Sequence, residues 1–269
     1  MSVNDELGIR MKEFYEAVPK TKLVRRMPVA IRIDGKAFHT FTRGMAKPFD
    51  EVLIKSMQET MQYLCKNIQG CVFGYTQSDE ITLILVDYKE LNTSAWFDNE
   101  VQKICSISAS MATMAFNRAF VKNVDEWGRL TFPDWDEGGT NEEVDADLLK
   151  LNDVYQRAIE KGAMFDSRCF NIPKEEVANL IYWRQLDATR NSIQMVGQAN
   201  FSHNELQGKT CNQIQDMLHE LRGINWNNYP TTQKRGSCCI RNEKEWIIDN
   251  EIPIFKWDGR EYIEKLVFI

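Results

Sequence analysis

No stretch of this 269-residue chain reaches the roughly 18 consecutive apolar residues that a membrane-spanning helix needs, so no membrane partner is expected. The first residues, with Asp5, Glu6 and Arg10, lack the apolar core of a secretory signal, which makes a cytoplasmic location the expectation. There is no C-x-x-C pair. Seven cysteines at irregular spacing support neither a zinc site nor a disulfide framework, and Cys238 and Cys239 read as buried reduced thiols. An excess of positive charge is also missing. The net charge of −6 argues against a general nucleic-acid coat, which needs a broadly basic face, but leaves room for a local basic track on an acidic body. Internal repeats and low-complexity segments are absent.

Hydrophobic residues make up 43% of the chain and charged residues 27%, enough apolar material for a sizeable core. The expected organisation is one domain over 1–269, with a core at about 27–172 and a C-terminal extension of helices and short strands at about 173–269. Leu7, Met11, Phe14, Tyr15 and Val18 predict a helix over 3–18, closed by Pro19. Residues 29–34 alternate as a strand. Asp50 can cap a helix running to Ile68, with Met57, Met61 and Leu64 on its apolar face. Residues 71–76 and 80–87 read as strands joined by a tight turn at 77–79. A second long helix is predicted over 98–121, followed by a loop or insertion at 123–147 that holds much of the acid, from Asp134 to Asp147. A short helix at 148–161 and a strand at 166–172 follow. The order is β-α-β-β-α-β, so the predicted class is α+β with a ferredoxin-like unit. Helices are predicted over 174–195 and, from a Ser202/Glu205 capping box, up to Gly223.

The chain is organised around residues 29–39. A β-branched strand ends on Asp34, a hard oxygen ligand at its tip. Gly35 lets the backbone approach a ligand closely, and Lys36 adds positive charge beside exposed amides. Alone, Asp-Gly after a strand is an ordinary turn. The second stretch strengthens it. In the predicted unit the third strand lies antiparallel beside the first, so Asp79 and Glu80 converge on Asp34. Neighbouring carboxylates repel unless a cation lies between them, and two Mg²⁺ ions would both relieve the repulsion and serve phosphoryl transfer. Arg184, Asp187 and Asn191 share one side of the third long helix, which fits either a functional face or a solvated one.

Several motifs then fall in order: RIDGKAFH at 32–39, AKP at 46–48, GYTQSDE at 74–80, YWRQ at 182–185 with Asp187, and KRG at 234–236. Together they resemble the tRNA(His) guanylyltransferase family and its guanylyltransferase-like branch, over about residues 27–240. The resemblance implies a polymerase palm working in the 3′-to-5′ direction on the 5′ end of tRNA. ATP or GTP activates the 5′-phosphate, and the 3′-hydroxyl of an incoming NTP then attacks it. It further implies Asp34, the Gly35 carbonyl and Asp79 as metal ligands, with Glu80 as a supporting catalytic acid. Asp34, Gly35, Lys36, Ala37, Phe38, His39, Lys47, Ser78 and Asp79 would hold the nucleotide. Lys103, Arg184, Asn191, Lys234 and Arg235 would face tRNA or its phosphates. Residues 189–192, Thr-Arg-Asn-Ser, lack the histidine of the eukaryotic enzymes. That resembles the bacterial and archaeal branch and template-dependent repair of truncated tRNA, with G-1 addition to tRNA(His) as the alternative. A palm-type cyclase acting on free NTP and a non-catalytic RNA-binding protein are the other readings. The family likeness also implies a homotetramer, and Trp127, Trp135 and Trp226 are candidates for cover by a neighbour.

Overall fold

The computed structural model describes residues 3–132 and 145–269, so most of the acidic run at 134–147 lies outside the described residues. The chain opens with α1 (Val3–Met11), continued by a π-type turn over Lys12–Glu16. The helix expected over 3–18 forms as far as Glu16, but Leu7, Phe14, Tyr15 and Val18 stay exposed.

Strand β1 (Val29–Gly35) leads into a one-turn helix, α2 (Phe38–Phe41), and then α3 (Glu51–Asn67). As the sequence predicts, the Asp50 carboxylate caps α3 by accepting from the amide of Leu53. Strands β2 (Cys71–Gln77) and β3 (Glu80–Leu85) form a hairpin. Helix α4 (Val101–Thr131) runs ten residues past the predicted end at 121. Phe116, Phe120, Val124 and Trp127 continue its apolar stripe at helical spacing and pack in the core. That packing outweighs the roughly 1 kcal/mol that Gly128 costs inside a helix. Next come α5 (Ala146–Lys161) and β4 (Phe165–Asn171).

The C-terminal third begins with α6 (Lys174–Asn200), longer than predicted. The Ser202/Glu205 capping box forms, but it serves only the short α7 (His203–Leu206). Helix α8 (Cys211–Arg222) has its own box at Thr210 and Gln213 and ends at left-handed Gly223. The one-turn α9 (Thr231–Arg235) precedes β5 (Ser237–Asn242), β6 (Glu245–Asp249) and α10 (Glu261–Val267).

These elements make a mixed α+β fold around one six-stranded sheet in the order β4-β1-β3-β2-β5-β6, with antiparallel neighbours throughout. As predicted, β3 lies between β1 and β2. The sheet is buried on both sides because its strands alternate apolar residues to each face. Ile31, Ile33 and Leu83 pack under α3 and α4 with Met61, Leu64 and Phe116. Ala30, Phe73 and Ile84 pack under α6 and α10 with Ile181, Phe255 and Ile263. Adjacent Cys238 and Cys239 split between the two faces, both fully buried free thiols as expected. A third cluster joins the end of α6 to α8.

Two of the tryptophans expected to await a neighbour are committed within the chain. Trp127 stands edge-on to Tyr155 at 5.0 Å between ring centres. Trp226 is buried, and its Nε1 donates to Ser192 Oγ at 3.0 Å. Trp135 lies outside the described residues.

Candidate nucleotide and metal site

The antiparallel register of β1 and β3 sets Asp34 directly opposite Glu80. Beyond that pair, the Gly35 amide donates to the Asp79 carbonyl at 3.1 Å. The β2–β3 turn is Ser78-Asp79, with Ser78 in the left-handed region (φ 51°). Such a backbone disfavours a residue with a Cβ. Two acidic tips from distant parts of the sequence therefore meet at one end of the sheet.

The chain after Asp34 folds tightly over this end. A Cβ on Gly35 would collide with the Phe38 ring, so glycine alone permits the approach. The Lys36 amide donates to Met164 O at 2.8 Å, and Ala37 is left-handed (φ 54°, ψ 40°). Phe38 is buried against Phe41, Phe116 and Phe165, with ring centres 5.0, 5.5 and 5.2 Å away. Its side chain is therefore a core anchor, and only its backbone can serve a ligand. Downstream, Asp50 accepts from the Ala46 amide (3.0 Å), the Leu53 amide (2.9 Å) and the Tyr155 hydroxyl (2.8 Å). One buried carboxylate thus fixes both the start of α3 and the loop carrying Lys47.

Between these parts lies an open cleft of about 450 Å³ lined by Gly35, Ala37, His39, Lys47, Ser78 and Asp79 among others. That is the size of a small-ligand site. A smaller recess of about 80 Å³ adjoins it, sharing Asp50, Leu53, Ser78 and Met195. Asn191, Lys234 and Arg235 line the recess. Burial and the nearby Arg235 charge lower the Lys234 pKa. Gly236, at φ 84°, lets this basic pair turn against the end of β2, where the Arg235 carbonyl accepts from Tyr75 at 2.6 Å.

The other expected residues are distributed differently. Glu80 is held by Arg32 (2.9 Å) and Arg184, so it is a neutralised carboxylate. Arg184 is buried, and its Nη2 pairs with both Glu80 and Asp187, the latter at 2.8 Å, so its charge is engaged inside the fold although its buried Nε has no hydrogen-bond partner. Arg184, Asp187 and Asn191 do share one side of α6, with Asp187 at its edge. Trp183, Asp187 and Arg190 follow one stripe; Arg184, Ala188, Asn191 and Met195 follow the next, and the last three of these reach the cleft or recess. Lys103 sits away from the acidic tips, in the first turn of α4. That turn contacts Cys169, which pairs with Ile31, whereas Asp34 pairs with Asp166.

Sequence reasoning passed over Asp166, which faces Asp34 across β1–β4. Burial foremost, then the Glu80 and Asp166 charges, raises the Asp34 pKa. Burial and the Asp34 charge push Asp79 up to about 6, against its own backbone amide and the Ser78 hydroxyl, which pull the other way. Among the described residues no ion pair reaches Asp34 or Asp79. Two crowded carboxylates outside any such ion pair, with only the more distant Arg168 and Arg32 charges offsetting Asp34, form beside a backbone carbonyl an all-oxygen donor set that fits a hard divalent cation such as Mg²⁺. The described residues contain no cluster of three or more His, Cys, Asp or Glu ligands. An ion here would therefore take its remaining ligands from water and substrate phosphates, as Mg²⁺ commonly does.

An acidic sheet end beside a nucleotide-sized cleft, with basic residues in the adjoining recess, defines a site of the nucleotidyltransferase class. Residues 8–173 match the family profile "Thg1: tRNAHis guanylyltransferase", and the chain belongs to that family. A bacterial tRNA(His) guanylyltransferase (Thg1)-like protein in complex with ATP is 42% identical, with a TM-score of 0.79 over 98% of this chain and 100% of that one. A second such structure, in complex with GTP, is 40% identical, with a TM-score of 0.75 and the same coverage. The tRNA(His) guanylyltransferase of Saccharomyces cerevisiae is 26% identical over 79% of this chain and 82% of the yeast protein. No helix among the described residues is long and apolar enough to cross a membrane.

Proposed function

We propose that this chain is a metal-dependent nucleotidyltransferase that adds G-1 to the 5′ end of tRNA(His). The observation that carries the proposal is the meeting of Asp34 and Asp79, neither in an ion pair among the described residues, beside the cleft that Gly35 and Asp79 line. The names of the curated relatives favour this reading over general repair of truncated tRNA, the first expectation from the sequence. Repair remains a second reading. Its support is the 40–42% identity to bacterial Thg1-like proteins together with the Thr-Arg-Asn-Ser run at 189–192.

In this reading the strand order β4-β1-β3-β2 is a ferredoxin-like palm, and β5 and β6 complete it within a single domain. Asp34, the Gly35 carbonyl and Asp79 would hold two Mg²⁺ ions, which supply charge neutralisation on the triphosphate and acidify the attacking hydroxyl. The backbone of residues 34–39, with Lys36, Lys47 and Ser78, holds the nucleotide phosphates. The cleft positions ATP or GTP so that the 5′-phosphate can be activated, and then positions an NTP whose 3′-hydroxyl attacks the activated end. Asn191, Lys234 and Arg235 hold the RNA 5′ phosphate in the recess. Arg184 and Glu80 act from behind, fixing the strand ends. The protein assembles as a homotetramer, which light scattering tests.

The decisive experiment supplies the protein with Mg²⁺, ATP and GTP and compares tRNA(His) lacking G-1 with other tRNAs shortened at the 5′ end. Extension confined to tRNA(His) supports the first reading. Equal extension of all supports repair. Product formed without RNA, or no 5′ extension at all, defeats both.

A further inference from the structure

The stripe of α6 that turns away from the cleft carries Trp183, and its side chain has no part in the site described above. Its surroundings are unusual. The Arg32 guanidinium lies 5.3 Å from the indole centre and that of Arg184 lies 4.6 Å away. Both arginines are bound by the one carboxylate of Glu80, which fixes the guanidiniums beside the ring. Trp183 is nonetheless 51% exposed, which leaves a large part of the indole open to a ligand. Arg168 stands opposite Arg32 across β1–β4, and Arg190 follows Trp183 along its stripe. Both are mostly exposed: Arg168 pairs with Asp166 at the surface, where the pair costs little to exchange, and Arg190 pairs with Asp187, which Arg184 also holds.

The position is as telling as the composition. Arg32 precedes Asp34 by two residues, which is about 7 Å along a strand. The platform therefore lies within one nucleotide of the acidic tips. An aromatic face flanked by guanidiniums, with exposed arginines beside it, is how proteins hold an unpaired base of a nucleic-acid strand.

We propose that Trp183, backed by Arg32 and Arg184, is a stacking platform for the 5′-terminal base of the RNA, with Arg168 and Arg190 beside it to receive backbone phosphates. The inference rests on the RNA-end reading above and assigns to it a subsite separate from the nucleotide cleft.

The test is equilibrium binding of 3′-labelled tRNA to the full chain without nucleotide, so that no catalysis is required. One RNA carries an intact 5′-terminal nucleotide and the other an abasic one. The wild type should bind the intact RNA roughly tenfold more tightly. Trp183→Ala should erase that difference, and Trp183→Phe should keep most of it. Affinity for MgATP should be unchanged in both, with thermal melts checking that each variant is folded. Equal weakening of both RNAs by Trp183→Ala would mark a structural prop and overturn the proposal, as would a wild type indifferent to the abasic end. If tRNA binds with this discrimination but is never extended, the platform stands and the proposed activity falls. If no tRNA binds, the RNA reading itself falls.

Discussion

The Gly35 amide and the Asp79 carbonyl are joined by a 3.1 Å hydrogen bond, and this link between two strand ends sets how closely the Asp34 and Asp79 side chains crowd. The backbone holds the two acids together with no cation among the described residues paired to either, so the fold carries an electrostatic cost that a bound divalent ion would relieve.

That cost is measurable as stability. The Asp79 pKa is raised from 3.8 to about 6, so the native state binds this proton more tightly than the unfolded state. The penalty is therefore absent below about pH 4 and complete above about pH 6. Asp79→Asn should stabilise the metal-free protein by about 1–2 kcal/mol at pH 7.5. The gain should vanish towards pH 4, and 5′ addition should be abolished. Urea titrations at the two pH values check this; a gain independent of pH would show that the carboxylate is not the cause.

Metal binding should have the opposite pH sense. Both acidic tips must lose their protons to ligate, and both are raised. Affinity for MgATP is expected to rise with pH, by up to about tenfold per unit below about pH 6 as Asp79 gives up its proton, and to level off above pH 7. Chelation with EDTA should weaken nucleotide binding at pH 7.5. Calorimetric titration over this range reads both effects, and a flat profile would contradict them.

Asp50 is expected to couple stability to nucleotide binding. Asp50→Ala removes the α3 cap and leaves the Ala46 amide and Tyr155 hydroxyl without their acceptor. A loss of about 2–4 kcal/mol should follow, together with a raised KM for the nucleotide as the Lys47 loop loosens. Tyr155→Phe, which removes one partner of the same carboxylate, should cost about 1 kcal/mol and leave KM nearly unchanged. Denaturant melts and steady-state kinetics on the two variants separate the effects.

Arg184 offers a test between a phosphate-binding and a structural role. Arg184→Met leaves the Glu80 and Asp187 carboxylates short of a partner and should destabilise by about 3 kcal/mol. Adding Glu80→Gln should restore a good part of that stability. If Arg184→Met instead leaves stability intact and weakens only RNA or nucleotide binding, the structural assignment fails.

Much of the site was legible in the sequence because its main parts are local. Asp34 and Gly35 end an alternating strand, and Ser78 and Asp79 occupy a hairpin turn. Strand order then follows from a familiar unit with few alternatives. The partners of Glu80 and Arg184 were not legible, because an ion pair between a strand end and a helix turn leaves no periodic trace. Asp166 was missed for a related reason: its importance comes only from facing Asp34 across a strand pair.

The order of amino acids by itself determined which faces of each strand and helix are apolar, and so the layered sheet with two acids at one end. Tertiary structure alone decided which charges are spent on each other and which stay free. On α6 a turn of about 100° per residue separates Arg184 from Trp183, sending one into the interior and leaving the other in solvent. The sequence shows them only as neighbours. Burial and pairing depend on what packs opposite, and only the folded chain supplies that.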